Sequence, residues 1–169
     1  MSASTTNLGP AASEKDIKYL RWADAGAEIF STCSKGQYLA IVVDRFGIVA
    51  ATGYNGAPSG MIHCADGGCP RATVQHQGGS YSDCVSIHAE ANALLRVSRQ
   101  DCEGATIYVT GLPCWDCAKL IVGSGIRRIV HKSGRRPIDF DQVQGFLELN
   151  RIVVVNVDLG VDAAQLAAG

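Results

Sequence analysis

Residues 87–98, IHAEANALLRVS, and residues 105–131, ATIYVTGLPCWDCAKLIVGSGIRRIVH, decide the architecture. The first stretch is rich in strong helix formers. Within the second, Ala105–Thr110 is β-branched and aromatic, Trp115–Val122 returns to helix formers and is closed by Gly123 and Gly125, and Ile126–His131 reads as a further strand. A strand–helix–strand passage of this kind places parallel strands beneath a covering helix. Upstream, Ser13 can cap a helix over Glu14–Phe30, in which Ile17, Leu20, Ala23, Ala27 and Phe30 recur at helical spacing. Tyr38–Asp44 and Ile48–Gly53 read as strands joined through Arg45-Phe46-Gly47, short enough for a hairpin. Downstream come a helix over Ile138–Leu149 and a strand over Arg151–Val157. The order predicts a three-layer α/β/α domain on a mixed five-stranded sheet, with its site where strand ends lead into helix N-termini.

A chain of 169 residues suits one domain, read as residues 14–169 behind a small, polar, flexible tail at 1–13. With 47% hydrophobic and 18% charged residues there is apolar surface enough to offset chain entropy. A net charge of -1 provides no global positive field, so duplex DNA or long RNA is not expected as a partner. The start lacks a basic-then-apolar signal and no run reaches the roughly 20 apolar residues of a membrane span, which gives a cytoplasmic expectation. There, thiols stay reduced, so the seven cysteines favour metal ligation or catalysis over disulfides.

Both chemical motifs fall at helix entries. Cys114 and Cys117, three apart in a first turn, project to one side, and neutral His88 from the neighbouring helix can add a third ligand to a tetrahedral zinc. Three protein ligands leave one position open, and Glu90 remains available as a proton shuttle. Residues i and i+2 of a regular helix point to different sides, so His88 must stand at the entry and not within a turn. Taken singly, a capping histidine, a glutamate at a helix N-terminus and buried cysteines are common structural features. Their joint occurrence as H-x-E followed by P-C-x-x-C is the pattern of zinc-dependent base deaminases.

HAEANALL, YVTGLPCWDCAKLIVGSGIRRIV and the upstream ATGYNGAPSGMIHC resemble the deoxycytidylate deaminases of the cytidine deaminase superfamily, from about Tyr19 to Val157. The resemblance implies a cytidine-deaminase-like fold and hydrolytic conversion of dCMP to dUMP and ammonia. It assigns His88, Cys114 and Cys117 to zinc, Glu90 to general acid/base work, Asn55 to the substrate sugar, and backbone groups near Ala89 and Leu112 to the base. From the residues alone, Asn55-Gly56 is equally a tight-turn pair. Thr110-Gly111-Leu112-Pro113 stands where these enzymes commonly read T-L-S-P, and His131 where an aromatic often stands. The nucleotide therefore stays open among dCMP, dCTP and modified cytosine nucleotides. Guanine, a tRNA adenosine and a noncatalytic zinc module are the further alternatives. The resemblance also implies a homo-oligomer, commonly hexameric, with dCTP and dTTP as effectors assisted by Mg2+.

The stretch Tyr54–Ser86 is long and without periodicity, and holds Cys64, Cys69 and Cys84, with Cys33 upstream and His63 and His76 nearby. A second, structural zinc on the four cysteines would order it; buried free thiols are the alternative. Some of the resembling enzymes carry a second zinc, with Cys33 and Cys64 near matching places. Of the basic residues, the pair Arg135 and Arg136 is the candidate phosphate clamp, because its loop should overhang the site.

Overall fold

The computed structural model describes residues 11–72, 84–135 and 137–160. Its elements are α1 (Glu14–Phe30), β1 (Leu39–Val43), β2 (Val49–Tyr54), a 3-10 turn (Cys64–Asp66), α2 (Ala89–Leu94), α3 (Arg99–Cys102), β3 (Thr106–Val109), α4 (Trp115–Ser124), β4 (Arg128–Lys132), α5 (Phe140–Leu149) and β5 (Val153–Val157). Ser13 caps α1 as expected. Its hydroxyl accepts from the Asp16 amide while Asp16 accepts from the Ser13 amide, so two otherwise orphan donors are satisfied reciprocally.

The five-stranded sheet runs β2-β1-β3-β4-β5. β1 is antiparallel to both β2 and β3, whereas β3, β4 and β5 are parallel. The sheet is mixed, as the hairpin requires. The first crossover, however, does not bring its two strands side by side: β1 inserts between β2 and β3. All five residues of β1 are buried, which explains why LAIVV is apolar throughout and does not alternate.

The pleat divides the core in two. Ile41, Val43, Tyr108, Val130, Val155 and Val157 face Ile17, Leu20, Ala23 and Ala27 of α1. Ala40, Val42, Ile107, Val109 and Ile129 face the other way, onto Ala93 of α2, Ala118 and Ile121 of α4 and Val143 and Leu147 of α5. Helices on both faces of one sheet make the three layers.

The hairpin between β1 and β2 closes on Asp44, whose carboxylate accepts from the Phe46 and Ile48 amides, with Gly47 at φ 85, a conformation that favours glycine. The expected continuous helix over Ile87–Ser98 is instead broken. α2 ends at Leu94, and Ser98 caps the short α3 by accepting from the Asp101 amide at 3.1 Å. Ser98 supplies a local start signal that interrupts otherwise good helix formers. No helix among the described residues is long and apolar enough to cross a membrane.

Candidate active site

α2 and α4 lie side by side on the sheet and begin at the same end of it. His88 is the residue capping α2, with φ -66 and ψ 153, and Cys114 occupies the same place on α4, with φ -71 and ψ 171. Extended backbone at His88 resolves the i, i+2 difficulty: the histidine leaves the chain before the helical turn that carries Glu90 begins. His88 Nδ1 stands 3.4 Å from Cys114 Sγ and 3.6 Å from Cys117 Sγ. The three ligand atoms lie within 4.8 Å of one another, the one such His/Cys/Asp/Glu grouping among the described residues.

The donor set fits zinc. Ligand lengths of about 2.3 Å to sulfur and about 2.0 Å to nitrogen, opened to a tetrahedral angle, separate S from N by about 3.5 Å, which is the separation present here. The Cys114 sulfur is favoured electrostatically as a thiolate. The neighbouring Cys117 side chain, together with the His88 ring, pulls the Cys114 thiol down to about 4, and Cys117 itself is pushed up by Cys114 and by burial. Hydrogen bonding to Cys114 raises His88. The N-terminal ends of two helices add to thiolate stability.

Glu90, in the first turn of α2, is buried, and burial pushes its carboxyl above the ordinary carboxylate range, with the His88 charge opposing. Its side chain lies beside Cys117, near enough for each to shift the other's pKa. The sequence candidates Glu90, His88, Cys114 and Cys117 are thus brought together by the fold.

Asn55 is buried and heavily used. Its Oδ1 accepts from Ser31 Oγ at 2.6 Å and from the Tyr38 amide at 2.8 Å, and its Nδ2 donates to the Gly36 carbonyl at 2.8 Å. The tight-turn reading of Asn55-Gly56 is not realised: neither residue has positive φ, and Gly56 instead forms a two-bond antiparallel bridge with Ile87. That bridge sets Asn55 beside the residue preceding His88. Ala89 and Leu112 are buried, and the Leu112 amide donates to the Arg135 carbonyl at 3.3 Å. Arg135 lies across the sheet end, Nη1 donating to the Gln37 carbonyl at 2.6 Å and its guanidinium 4.7 Å from the centre of the Tyr38 ring. Arg136 lies outside the described residues, as does His76. Two basic residues of β4, Arg128 and Lys132, are engaged by Asp16 and Asp24. His131 is buried in β4, opposite Val109 on β3 and Asn156 on β5.

The four cysteines Cys33, Cys64, Cys69 and Cys84 do not form a second grouping like that of His88, Cys114 and Cys117. Cys64 and Cys84 lie near enough to Cys69, and Cys33 to Cys84, to influence one another electrostatically. The 3-10 turn starting at Cys64 is itself tied to the segment between α1 and β1, through the Ala65 amide donating to the Thr32 carbonyl. Two residues that sequence reasoning passed over belong to the site's frame: Gly53, where β2 touches α2, and Asn92, buried on α2. The signal for Asn92 is an amide on the core face of a helix, one turn beyond the histidine.

Residues 13–133 match the family model described as the cytidine and deoxycytidylate deaminase zinc-binding region. The chain belongs to this family. It is a zinc-dependent hydrolytic deaminase. The deoxycytidylate deaminase of Mycobacterium phage D29 is 44% identical over 123 residues, covering 69% of this chain and 92% of that protein. The deoxycytidylate deaminase of Schizosaccharomyces pombe is 39% identical over 103 residues, but the chain spans only 32% of its length. Among solved structures, dCMP deaminase from the cyanophage S-TIM5 in complex with dCMP and dUMP superposes with a TM-score of 0.68 at 26% identity, over 88% of this chain and all of that one.

Proposed function

We propose that the chain hydrolyses dCMP to dUMP and ammonia, and that residues 14–169 form a single deaminase domain. The observation that carries this reading is the 44% identity to the phage D29 deoxycytidylate deaminase across 92% of that protein. The buried Glu90 beside His88, Cys114 and Cys117 is consistent with it.

In this reading His88, Cys114 and Cys117 hold the zinc, which when bound supplies the Lewis acidity that makes water a nucleophile near neutral pH. Glu90 moves the protons. Its raised pKa suits a group that accepts one proton from the attacking water and delivers it to the pyrimidine N3, then accepts the second proton from the same oxygen and delivers it to the departing amine. Water oxygen bonds to C4, the C4–N4 bond breaks, and nitrogen leaves as ammonia. Backbone groups at Ala89 and Leu112 border the base. Asn55 directs its second amide N–H to the sugar, its other bonds fixing its orientation. Arg135, with Arg136, takes the phosphate; the Tyr38 stack and the Gln37 bond leave guanidinium N–H groups for an anion.

The reading extends to a second, structural zinc on Cys33, Cys64, Cys69 and Cys84, supported by the pairwise nearness of Cys69 to Cys64 and Cys84 and of Cys84 to Cys33. It further extends to a cytoplasmic homo-oligomer, hexameric as in the resembling enzymes, that responds to dCTP and dTTP with Mg2+.

The test is the ultraviolet change of zinc-loaded protein with dCMP, dCTP, CMP, deoxycytidine and guanine, each with and without effector. Conversion of dCMP, lost in Glu90→Gln with zinc retained, is the expected result. Conversion of another member in place of dCMP overturns the substrate, and inactivity on every member by zinc-replete protein overturns the reading.

A further inference from the structure

We propose that Asn92 is a positioning residue for the deamination: its side-chain amide fixes the entry of α2, and with it the placement of Glu90 against the metal ligands. The proposal rests on the deaminase reading above.

Asn92 lies one helical turn beyond His88, its amide donating to the His88 carbonyl at 2.9 Å. The side chain leaves the helix sideways. Nδ2 donates to the Tyr54 carbonyl at 2.8 Å and, more weakly, to the Ile87 carbonyl at 3.5 Å. Tyr54 is the last residue of β2, and Ile87 immediately precedes His88. One amide group therefore ties the end of a strand, the chain entering the site, and the helix leaving it. At the other end of the side chain, Arg96 Nη1 donates to Asn92 Oδ1 at 3.0 Å and to the Asn92 carbonyl at 2.6 Å. The arrangement has one polarity: turning the amide over would set its oxygen against two carbonyl oxygens and its NH2 against a guanidinium.

Two further features show that this joint is tight. Ile87 and Gly56 exchange backbone hydrogen bonds of 2.9 and 3.2 Å, so the Ile87 carbonyl accepts from both Gly56 and Asn92. At Gly53, a Cβ would lie 2.2 Å from the Ala93 nitrogen, 2.4 Å from the Ala89 oxygen and 2.8 Å from the Asn92 carbonyl carbon. The backbone of α2 thus rests on β2 with no side chain between them. The chain must pass from extended at His88 to helical at Ala89 within this joint, and that single change of conformation aims His88 and Glu90 at the same place. Cys114 and Cys117 come from a different helix, so a rotation of the α2 entry moves Glu90 relative to them. Displacements on the order of 1 Å are enough to lower a rate about a hundredfold.

If Asn92 merely filled space, its replacement would lower stability and leave turnover per folded, zinc-loaded molecule unchanged. Asn92→Ala removes both ends of the clamp. Asn92→Asp keeps the shape and the acceptor for Arg96 but replaces the donor to Tyr54. Arg96→Ala keeps the amide and releases its orientation. For each, kcat and KM for dCMP, zinc content and melting temperature are measured together. The expected result is a kcat lowered about 10-fold to 100-fold in both Asn92 variants, with KM within about threefold and zinc equal to the wild type, and a smaller loss of the same kind in Arg96→Ala. A kcat within about threefold of wild type in Asn92→Asp overturns the proposal, as does a loss that tracks missing zinc or falls on KM. Should Asn92→Ala fail to fold, Asn92→Asp and Arg96→Ala decide the matter. A zinc-loaded wild type that does not convert dCMP defeats the deaminase reading; an active wild type with unaltered variants defeats this inference alone.

Discussion

Arg128 grips Asp16 across 112 residues of chain, Nη1 to Oδ1 at 2.7 Å and Nη2 to Oδ2 at 2.8 Å. The Tyr108 hydroxyl adds a third donor at 3.0 Å and the Ser13 amide a fourth at 2.8 Å, all converging on a carboxylate that is 1% exposed. The pair locks the start of α1 to β4 on the sheet face away from α2 and α4.

This relationship sets the acid stability. Burial raises the Asp16 carboxyl, but Arg128 and Ser13 outweigh it and hold the group down at about 2, against an ordinary 3.8. A carboxylate depressed in the folded state stabilises above its unfolded pKa and loses that contribution as pH falls towards its folded one. Asp16 therefore contributes about 2 kcal/mol near neutrality, lost between about pH 4 and pH 2. Urea titrations at stepped pH should show that loss in the wild type and a flatter acid limb in Asp16→Asn. Arg128→Ala, which strands the carboxylate, should cost on the order of 3 kcal/mol at pH 7.

Replacing Glu90, the proposed proton carrier, while keeping the metal ligands separates the two functions proposed for the site. Glu90→Gln keeps side-chain volume and a hydrogen-bonding group near Cys117 but cannot accept a proton. Turnover of dCMP should fall about 10²–10⁴-fold, with zinc by elemental analysis unchanged. Cys117→Ala, by contrast, should lose both zinc and turnover. A Glu90→Gln protein that retained wild-type kcat would assign proton transfer elsewhere.

The chelate-forming side chains were legible in the sequence because H-x-E and P-C-x-x-C are local, and because strand-to-helix junctions bring such residues to one end of a sheet. The extent of α1 was equally legible, from Ser13 and the spacing of Ile17, Leu20, Ala23 and Ala27. Other features are written in contacts and not in patterns. Nothing local in LAIVV says that β1 lies between β2 and β3, since its antiparallel pairing with β3 joins residues far apart in the chain. The role of Asn92 was hidden because its partners are main-chain carbonyls, which every residue possesses. Cys33, Cys64, Cys69 and Cys84 show no regular spacing, only a surplus of thiols in this part of the chain.

Two glycine substitutions should act in opposite directions. At Gly53 a methyl group would meet the backbone of α2 at 2.2–2.8 Å, with no flexible side chain to give way. Gly53→Ala should destabilise the fold by at least about 1–3 kcal/mol and depress turnover further than its folded fraction explains. Gly145 lies inside α5, and a Cβ there meets nothing within 4 Å. Gly145→Ala should stabilise by about 0.5–1 kcal/mol and leave kcat alone. Thermal melts beside initial rates test both.

The loop cysteines make a separate prediction about folding. A zinc on Cys33, Cys64, Cys69 and Cys84 would tether the glycine-rich segment after β2 to the segment after α1, in place of a hydrophobic core. Cys69→Ser should lower zinc content and melting temperature together while Cys114 and Cys117 stay loaded. An unchanged zinc content with an unchanged melting curve would leave these four as packed thiols.

The phosphate role proposed for Arg135 can be tested against a substrate that lacks the phosphate. Its guanidinium is pinned between the Tyr38 ring and the Gln37 carbonyl, its own carbonyl accepts from Leu112, and Gly111 permits the approach, a Cβ there coming within 3.0 Å of Arg135 Cβ. The side chain is thus held over the sheet end with donors to spare. A charge-assisted bond to phosphate is worth about 1.5–3 kcal/mol, so Arg135→Ala should raise KM for dCMP about 10-fold to 100-fold. Deoxycytidine, which lacks the phosphate, supplies the contrast: whatever its rate in the wild type, Arg135→Ala should leave its kcat/KM unchanged. Equal losses on dCMP and deoxycytidine would instead mean that Arg135 supports the Leu112 loop and the base pocket, and that the phosphate is bound by other residues.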